Sequence, residues 1–401
     1  MTNVSISSPT LQDVRDIYTH IFNGYDNRIR PLINQSEALS VSMTFLLSSI
    51  NEFNEKSQKL VIAGWFIIRW VDESLTWNKS DFGNVSHVYV DGKSIWQPNI
   101  VLLNSFGRMN MLSQFATRAV INVNGEVEWF PSDSFVVKCE VDITYYPFDT
   151  QRCSLKFEMW DAPTSEVVLM ATSKSIDTSY FEKNVEWRLT SSVVKNLEME
   201  YGVPISSVQY FLLLQRRPKF VILTLIAPVI LLAFLNICVF LIPLSSGEKN
   251  AFCVTVYLSY AVFLGIISSE LPPNSKNVSY LAIYLLALLV FSVIIVLITV
   301  IQVRLFIEYG ETPVPASILK VCGFCTNGTR SQVTPQDNND LDVTTENVVE
   351  PFEFNNQNEK ETITCLKDIL PKFDIPLFFL FLVILCVMTS TIGAISYSHS
   401  I

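Results

Sequence analysis

Four uncharged apolar runs restrict the possible folds of this chain more than any other feature of its sequence. None contains Asp, Glu, Lys or Arg, and they extend over Phe220 to Pro243, Ala251 to Ser269, Tyr280 to Ile301 and Ile375 to Ser398. Each is close to the roughly 20 residues that a helix needs to span a bilayer. With 49% hydrophobic residues, the chain is also too apolar for a purely soluble protein of its length. We therefore predict four membrane helices.

The runs divide the chain into four regions. Residues 1–217 contain no such run and predict a large soluble domain, whereas residues 218–304 carry three closely spaced helices. Residues 305–374 form a long polar loop, whose acidity discourages a nucleic-acid partner, and residues 375–401 carry the last helix. Met1 to Thr10 is polar and unlike a signal peptide, so we expect a mature or trimmed form of an exported protein.

The soluble domain has the pattern of a β protein after Pro31. Turn signals such as Asp91-Gly92 and Asn124-Gly125 separate apolar runs of strand length, with no crossover helix between them. The runs are SVSMTFLLSSI, KLVIAGWFIIRW, SHVYV, RAVINV, EVEWF, FVVKCEVDITYY, CSLKFEMW, SSVVKNLEM and VQYFLLLQ. Leu11 to Phe22 has helical spacing and ends at Asn23-Gly24. We predict a β-sandwich preceded by a short helix.

The second apolar run places a graded series of side chains on one helical face. At spacings of three and four, the face begins with a carboxylate, becomes hydroxylic, then apolar, and ends hydroxylic: Glu248, Ala251, Thr255, Leu258, Val262, Gly265 or Ile266, and Ser269. Several copies around an axis would enclose a water-filled tube with a hydrophobic constriction. A packed membrane helix, whose Ser and Thr bond their own backbone, is the alternative that the stripe leaves open.

Two cysteines in the soluble domain, Cys139 and Cys153, enclose the segment EVDITYYPFDTQR. An exported domain permits their oxidation, and closing a loop of this size stabilises a fold by about 3 kcal/mol. Two buried free thiols remain the alternative on spacing alone.

The loop containing Tyr146-Pro147-Phe148-Asp149 resembles the signature loop of the Cys-loop receptors, the pentameric ligand-gated ion channels of the nicotinic acetylcholine receptor type. The resemblance covers nearly the whole chain, through GYDNRIRPL, Trp65 followed by Trp70 and Asp72, IWQPNIVLLN from Ile95, LKFEMW ending at Trp160, Gln215-Arg216-Arg217, Pro228 and PLSSGEK. It implies an extracellular immunoglobulin-like β-sandwich and a four-helix transmembrane bundle, with identical or related subunits forming a pentamer around a pore lined by residues 247–270.

The resemblance also implies orientation and ion selectivity. A disulfide between Cys139 and Cys153 places the amino terminus outside the plasma membrane, and four spans place the carboxyl terminus there too. Glu248 follows no inserted Pro-Ala, which anion-selective members usually carry, so a ring of Glu248 is expected to attract monovalent cations. The other implied pore residues are a filter at Ala251 and Thr255, a dewetting gate at Leu258 and Val262, and an outer charge at Glu270 displaced by one position from Ser269.

Coupling between the soluble domain and the pore is expected at the end of the sandwich. By resemblance, Glu55 pairs with Arg216. The resemblance also implies that the tip of the disulfide loop, Tyr146, Pro147 and Phe148, presses on the connection after the second membrane helix, Leu271-Pro272-Pro273-Asn274. A purely structural role for the Glu55 and Arg216 pair is the alternative, because surface ion pairs contribute little.

The agonist site is expected in an aromatic cage between subunits. The resemblance implies a principal face of Trp160, Leu103 and Tyr201, and a complementary face of Trp65, Val120, Glu128 and Phe130. Leu103 stands where ligand-binding subunits carry Tyr, and Asn196 to Ser207 lacks the adjacent cysteine pair. We therefore predict that acetylcholine is not an agonist of ordinary potency, and the identity of the agonist stays open. Simple packing of Trp160 and Trp65 is the alternative.

The polar loop contains further signals. Asn327 to Asn358 has a disordered composition, and residues 360–373 predict an amphipathic helix with Ile363, Leu366, Ile369, Leu370 and Phe373 on one face. Cys322 and Cys325 are expected to be free or palmitoylated rather than zinc-bound. In the soluble domain, the candidate glycosylation sites are Asn3, Asn34, Asn78 and Asn84.

An enzyme is the competing function, and the sequence argues against it. The chain has only His20, His87 and His399, and no motif for a nucleophile, a phosphate loop, a metal or a cofactor. An accessory or non-conducting subunit that assembles only with partners is a second alternative, and the sequence leaves it open.

Overall fold

The computed structural model describes residues 8–114, 118–270, 278–311 and 366–398. The chain divides into two compact units. One comprises Met1–Pro228, Phe263–Leu286 and Ser390–Ile401, and the other comprises Val229–Val262 and Ala287–Thr389. The first unit therefore contains the β domain and one end of each membrane helix.

The predicted amino-terminal helix forms as α1, Leu11–Ile21. It begins at a capping box, because the Thr10 hydroxyl accepts the Asp13 N–H and the Asp13 carboxylate accepts the Thr10 N–H. Ile17 and Ile21 are buried on its inner side.

The described residues form eleven strands in two sheets, which confirms the predicted sandwich. The strands are β1 Leu39–Asn54, β2 Lys59–Val71, β3 His87–Asp91, β4 Ile100–Leu102, β5 Arg118–Asn122, β6 Glu126–Trp129, β7 Ser132–Lys138, β8 Thr150–Met159, β9 Val167–Ala171, β10 Trp187–Glu200 and β11 Pro204–Arg216. The larger sheet has the order β3-β5-β6-β2-β1-β9, with β7 also paired to β2, and the smaller sheet has the order β10-β11-β8-β4.

Aromatic rings from both sheets fill the core of the sandwich. Phe45, Phe66 and Phe135 come from the larger sheet, and Phe157 and Tyr210 come from the smaller one. Their neighbouring centroids are 4.7 to 6.0 Å apart, mostly in edge-to-face arrangements. The alternation of each strand thus directs one set of side chains inward and leaves the other set on the outer face.

The run FVVKCEVDITYY is not one strand, and this part of the strand prediction is wrong. Strand β7 ends at Lys138, and Cys139 is disulfide-bonded to Cys153, so the free-thiol alternative is excluded. Inside the loop, the Gln151 amide group bonds the Asp142 backbone on both its N–H and its carbonyl, at 2.9 and 2.8 Å. A side chain therefore takes the hydrogen bonds that a partner strand would have supplied.

The four predicted membrane helices are present, each long and apolar enough to cross a bilayer. The first span, Lys219–Leu241, consists of α2 Lys219–Val221, a π turn Ile222–Ile226, α3 Ala227–Ile237 and a 3₁₀ turn Cys238–Leu241. The others are α4 Lys249–Glu270, α5 Tyr280–Glu308 and α7 Asp374–Ser398. The π turn ends two residues before Pro228, which has no N–H to bond the carbonyl of Thr224 inside that turn.

Only part of the predicted loop helix is described. The segment consists of α6 Leu366–Ile369 and a 3₁₀ turn Leu370–Phe373. Ile369 and Leu370 are buried, but Phe373, the last residue of the 3₁₀ turn, is 41% exposed. The predictions for Asn3, Cys322, Cys325, Ile363 and residues 327–358 lie outside the described residues.

Candidate functional sites

The graded face of α4 is uncovered in the single chain. All of its predicted members are exposed: Glu248, Ala251, Thr255, Leu258, Val262, Gly265, Ile266 and Ser269. The opposite face is buried, through Lys249, Cys253, Val256, Tyr260 and Ile267. The large apolar side chains Leu258 and Val262 are 61% and 56% exposed. The fold of one chain thus leaves a continuous apolar and hydroxylic stripe without a partner of its own.

The hydroxyl groups on this face bond their own helix. Thr255 donates to the Ala251 carbonyl at 2.8 Å, and Ser269 donates to the Ile266 carbonyl at 2.6 Å. This bonding is what a packed membrane helix would also show, so the hydroxyl stripe does not distinguish the two interpretations. The exposure of the whole face shows that no other described part of the same chain packs against it.

The carboxylate end of the face has a specific backbone. Gly247 has φ of 73°, in the left-handed region that favours glycine, and turns the chain into the helix. The Glu248 carbonyl accepts the Phe252 N–H, so the exposed Glu248 is at the helix amino terminus, where the macrodipole favours an anion. At the other end α4 stops at Glu270, whose side chain lies outside the described residues.

Arg216 is held in a closely packed site at the end of β11. Its guanidinium group is 2.6 Å from the Glu55 carboxylate and 2.7 Å from that of Asp149, and its side chain is 10% exposed. The rings of Tyr146 and Trp187 lie 4.9 and 4.3 Å from the guanidinium carbon. Burial acts to lower the pKa of Arg216, but bonding and attraction to Asp149 and Glu55 outweigh it and raise the pKa.

The structure therefore brings Glu55 and Arg216 together and adds partners that sequence reasoning missed. Asp149 pairs with Arg216, and the only sequence signal for it is its position in the signature loop, next to Phe148. Nothing in the sequence near Trp187 indicated that its ring would pack on this guanidinium group.

The disulfide loop and the loop between β1 and β2 both contact the membrane helices. The Thr144 carbonyl accepts the Tyr280 N–H at 3.0 Å, and the rings of Tyr145 and Tyr280 are 5.5 Å apart. The Lys56 ammonium group lies 3.4 Å from the Ser269 carbonyl. These contacts involve the last turn of α4 and the first residue of α5. The predicted contacts with Leu271, Pro272, Pro273 and Asn274 lie outside the described residues.

The residues of the predicted complementary face share the outer surface of the larger sheet. In the strand register, Glu128 on β6 lies opposite Arg69 on β2 and opposite Val120 on β5. Trp65 lies on the same side of β2 as Arg69. Phe130 follows at the end of β6, and the Glu128 carboxylate is 2.6 Å from the Arg69 guanidinium group. Trp65 also packs on Tyr180, a ring missed from the sequence, with centroids 5.3 Å apart.

The residues of the predicted principal face belong to the smaller sheet. Leu103 follows β4, half-exposed Trp160 follows β8, and Tyr201 is at the turn between β10 and β11. Since the two sheets bury their inner faces against each other, their outer faces point apart. The residues expected for the two halves of the cage therefore follow or belong to strands of different sheets.

A β-sandwich followed along the chain by four membrane-length helices, the second with an uncovered graded face, is the layout of a ligand-gated channel subunit. Residues 14–218 match the model of the neurotransmitter-gated ion-channel ligand binding domain, and residues 225–315 match that of the neurotransmitter-gated ion-channel transmembrane region. The chain therefore belongs to the neurotransmitter-gated ion-channel family. This membership confirms the resemblance drawn from the signature loop and the prediction that the chain is not an enzyme.

Individual relatives carry acetylcholine receptor names. The chain is 32% identical to the neuronal acetylcholine receptor subunit beta-3 of Gallus gallus over 303 residues, which are 75% of this chain and 66% of that protein. It is 31% identical to the neuronal acetylcholine receptor subunit alpha-5 of Homo sapiens over 294 residues, 73% of this chain and 62% of that one. The matched part thus spans slightly less than two-thirds of these relatives.

Proposed function

We propose that this chain is a subunit of a pentameric, cation-selective channel of the plasma membrane, opened by a small molecule that binds outside the cell between subunits. The exposed graded face of α4 is the observation that carries this proposal. Membrane association does not require a helix with a carboxylate, hydroxyl groups and an apolar ring on one uncovered face. Identical or related subunits arranged around an axis give each of these groups a role in a water-filled path.

The chemistry of the β domain supports the proposed orientation. Its disulfide requires an oxidising compartment, so we place the domain and both termini outside the cell. The sequons at Asn34, Asn78 and Asn84 are exposed and accessible to glycosylation in that orientation. Glu248 then lies at the cytosolic mouth.

Cation selectivity is expected to depend on Glu248. Replacement of extracellular sodium by a large impermeant cation should shift the reversal potential, while chloride replacement should not, because a ring of carboxylates at a helix terminus concentrates cations. Glu248→Gln should weaken the sodium dependence. If the chain is silent alone, the measurement uses channels that carry Leu258→Ser. The control is Glu308→Gln, which removes an exposed carboxylate at the end of α5. A reversal potential that follows chloride in the unmodified pore would contradict the proposal.

An accessory subunit that depends on partner subunits is the second candidate, and the principal face favours it. Leu103 provides no aromatic ring, and Tyr201 is 59% exposed in a turn with no neighbouring disulfide among the described residues. A cation–π cage needs several ring faces around the charge. In this case a partner subunit supplies a complete principal face, and this chain contributes Trp65 with Tyr180 from the complementary side.

Acetylcholine is expected to evoke little or no current from the chain expressed alone, because the principal side is short of aromatic rings. Whole-cell currents over a range of acetylcholine concentrations measure this, and Leu258→Ser channels serve as the control that pores reach the surface. A robust current that Trp160→Ala abolishes would refute the expectation, since it would show that the cage is complete in this chain.

A further inference from the structure

Lys249 is a lysine with no access to solvent, although it follows the exposed Glu248 directly. It is the first residue of α4, and its side chain is 1% exposed. The Nζ atom lies 2.7 Å from the carboxylate of Asp374, the first residue of α7, whose side chain is 8% exposed. Two residues 125 positions apart therefore form a buried ion pair at the ends of two membrane helices.

The surroundings of Lys249 explain why it needs this partner. A cation at a helix amino terminus is opposed by the macrodipole, and a cation inside a membrane bundle loses its hydration. The ring of Phe240 covers the ammonium group from 5.6 Å, Phe240 stacks on Phe381, and Phe381 meets Phe291 edge to face. Without the Asp374 carboxylate, the ammonium group would become hydrated only if the flexible Lys249 side chain turned away from these aromatic rings.

We propose that Asp374 is a positioning residue for ion selectivity. By holding Lys249 inside the bundle, Asp374 leaves Glu248 as the unopposed charge at this end of the exposed face. Loss of the carboxylate frees one positive charge per subunit beside each Glu248, and the two charges cancel. This inference rests on the proposed function and deepens it. It assigns a role in ion selectivity to the fourth span, which does not itself line the pore in that proposal.

The first test measures exposure of Lys249 and does not depend on conduction. The full-length protein in nanodiscs is treated with a water-soluble acylating reagent, and modification of Lys249 is quantified by mass spectrometry. Lys249 should resist modification in the unmodified chain and in Asp374→Glu, and should react at least about tenfold faster in Asp374→Asn, because a released ammonium group is hydrated. Glu308→Gln should leave Lys249 protected. Reactive Lys249 in the unmodified chain, or equal protection in Asp374→Asn, would overturn the inference.

The second test measures the consequence in Leu258→Ser channels. Asp374→Asn should reduce cation conductance by about threefold or more and weaken cation over anion preference, since the focusing potential of the mouth is lost. Lys249→Gln combined with Asp374→Asn should restore the conductance and the cation preference, because no released lysine charge then reaches the mouth. The double variant also provides the measurement if Asp374→Asn alone fails to assemble. A double variant that remains impaired assigns Asp374 a merely structural role and overturns the proposal. Absence of cation selectivity in the parent channel, by contrast, contradicts the proposed function.

Discussion

Replacement of Arg216 by Gln is expected to abolish gating by ligand and to destabilise the β domain by about 3–5 kcal/mol, the usual cost of leaving a buried charge without its partner. The Asp149 side chain is 2% exposed and receives two hydrogen bonds from Arg216, at 2.7 and 3.1 Å. Whole domains are stable by only about 5–15 kcal/mol, so the loss is a large share of the total. Thermal unfolding of the purified receptor and its surface expression measure the effect.

A matched control separates this network from ordinary surface pairs. Arg28 and Asp26 are also 2.6 Å apart, but the Arg28 side chain is 86% exposed. Arg28→Gln should therefore leave unfolding temperature and gating nearly unchanged, because water replaces the lost partner. Equal effects of Arg28→Gln and Arg216→Gln would show that burial of the Arg216 network does not matter.

The same network determines how far charge reversal can rescue function. Glu55→Arg with Arg216→Glu restores an opposite pair, yet the new carboxylate at position 216 faces Asp149. We expect the double reversal to recover only part of the gating lost in the single reversals, as a double-mutant cycle of ligand response measures. Glu55→Gln alone should impair gating less than Asp149→Asn, since the Glu55 side chain is 23% exposed and the Asp149 side chain is 2% exposed. Strictly additive losses would show that Glu55 and Arg216 have only a structural role.

Replacement of Leu258 by Ser is expected to increase current in the absence of ligand by about tenfold or more, because a change of only ~1.4 kcal/mol in the closed-to-open equilibrium has that effect. Leu258 is 61% exposed on the face of α4, where copies of the chain would form an apolar ring. A hydroxyl at each position favours wetting of the constriction. Resting current before and after a pore blocker measures the increase.

The control for this prediction is the same change on another exposed membrane surface. Leu297 on α5 is 57% exposed, and Leu297→Ser should raise no resting current, because lipid rather than the pore is expected to cover it. Resting current from Leu297→Ser but not from Leu258→Ser would show that α4 is not the lining helix.

Much of the fold could be predicted because its signals are local. A run without charged residues is sufficient for a span, and alternation is sufficient for a strand such as β2. The prediction went wrong at Val141 and Ile143, which are buried like strand residues but belong to the disulfide loop. A buried loop and a buried strand can show the same alternation of apolar residues, so the periodicity of the sequence cannot distinguish them.

The candidate sites were accessible to sequence reasoning only where the residues share one element. The graded face lies on a single helix, and helical spacing alone assigned its members. Asp149 beside Arg216, and Tyr180 beside Trp65, are contacts between distant segments, and no spacing rule relates such positions.

The sequence by itself determined the number of membrane helices, the sandwich class and which side chains of α4 share a face, because each depends on the order of apolar and polar residues along one element. Only the tertiary structure decided which face of α4 is covered. It also decided that Lys249 turns inward to Asp374 while its neighbour Glu248 stays exposed. Adjacent charged residues look equivalent in a sequence, and it is the partner brought from 125 positions away that makes burial of one charge tolerable and leaves the other in water.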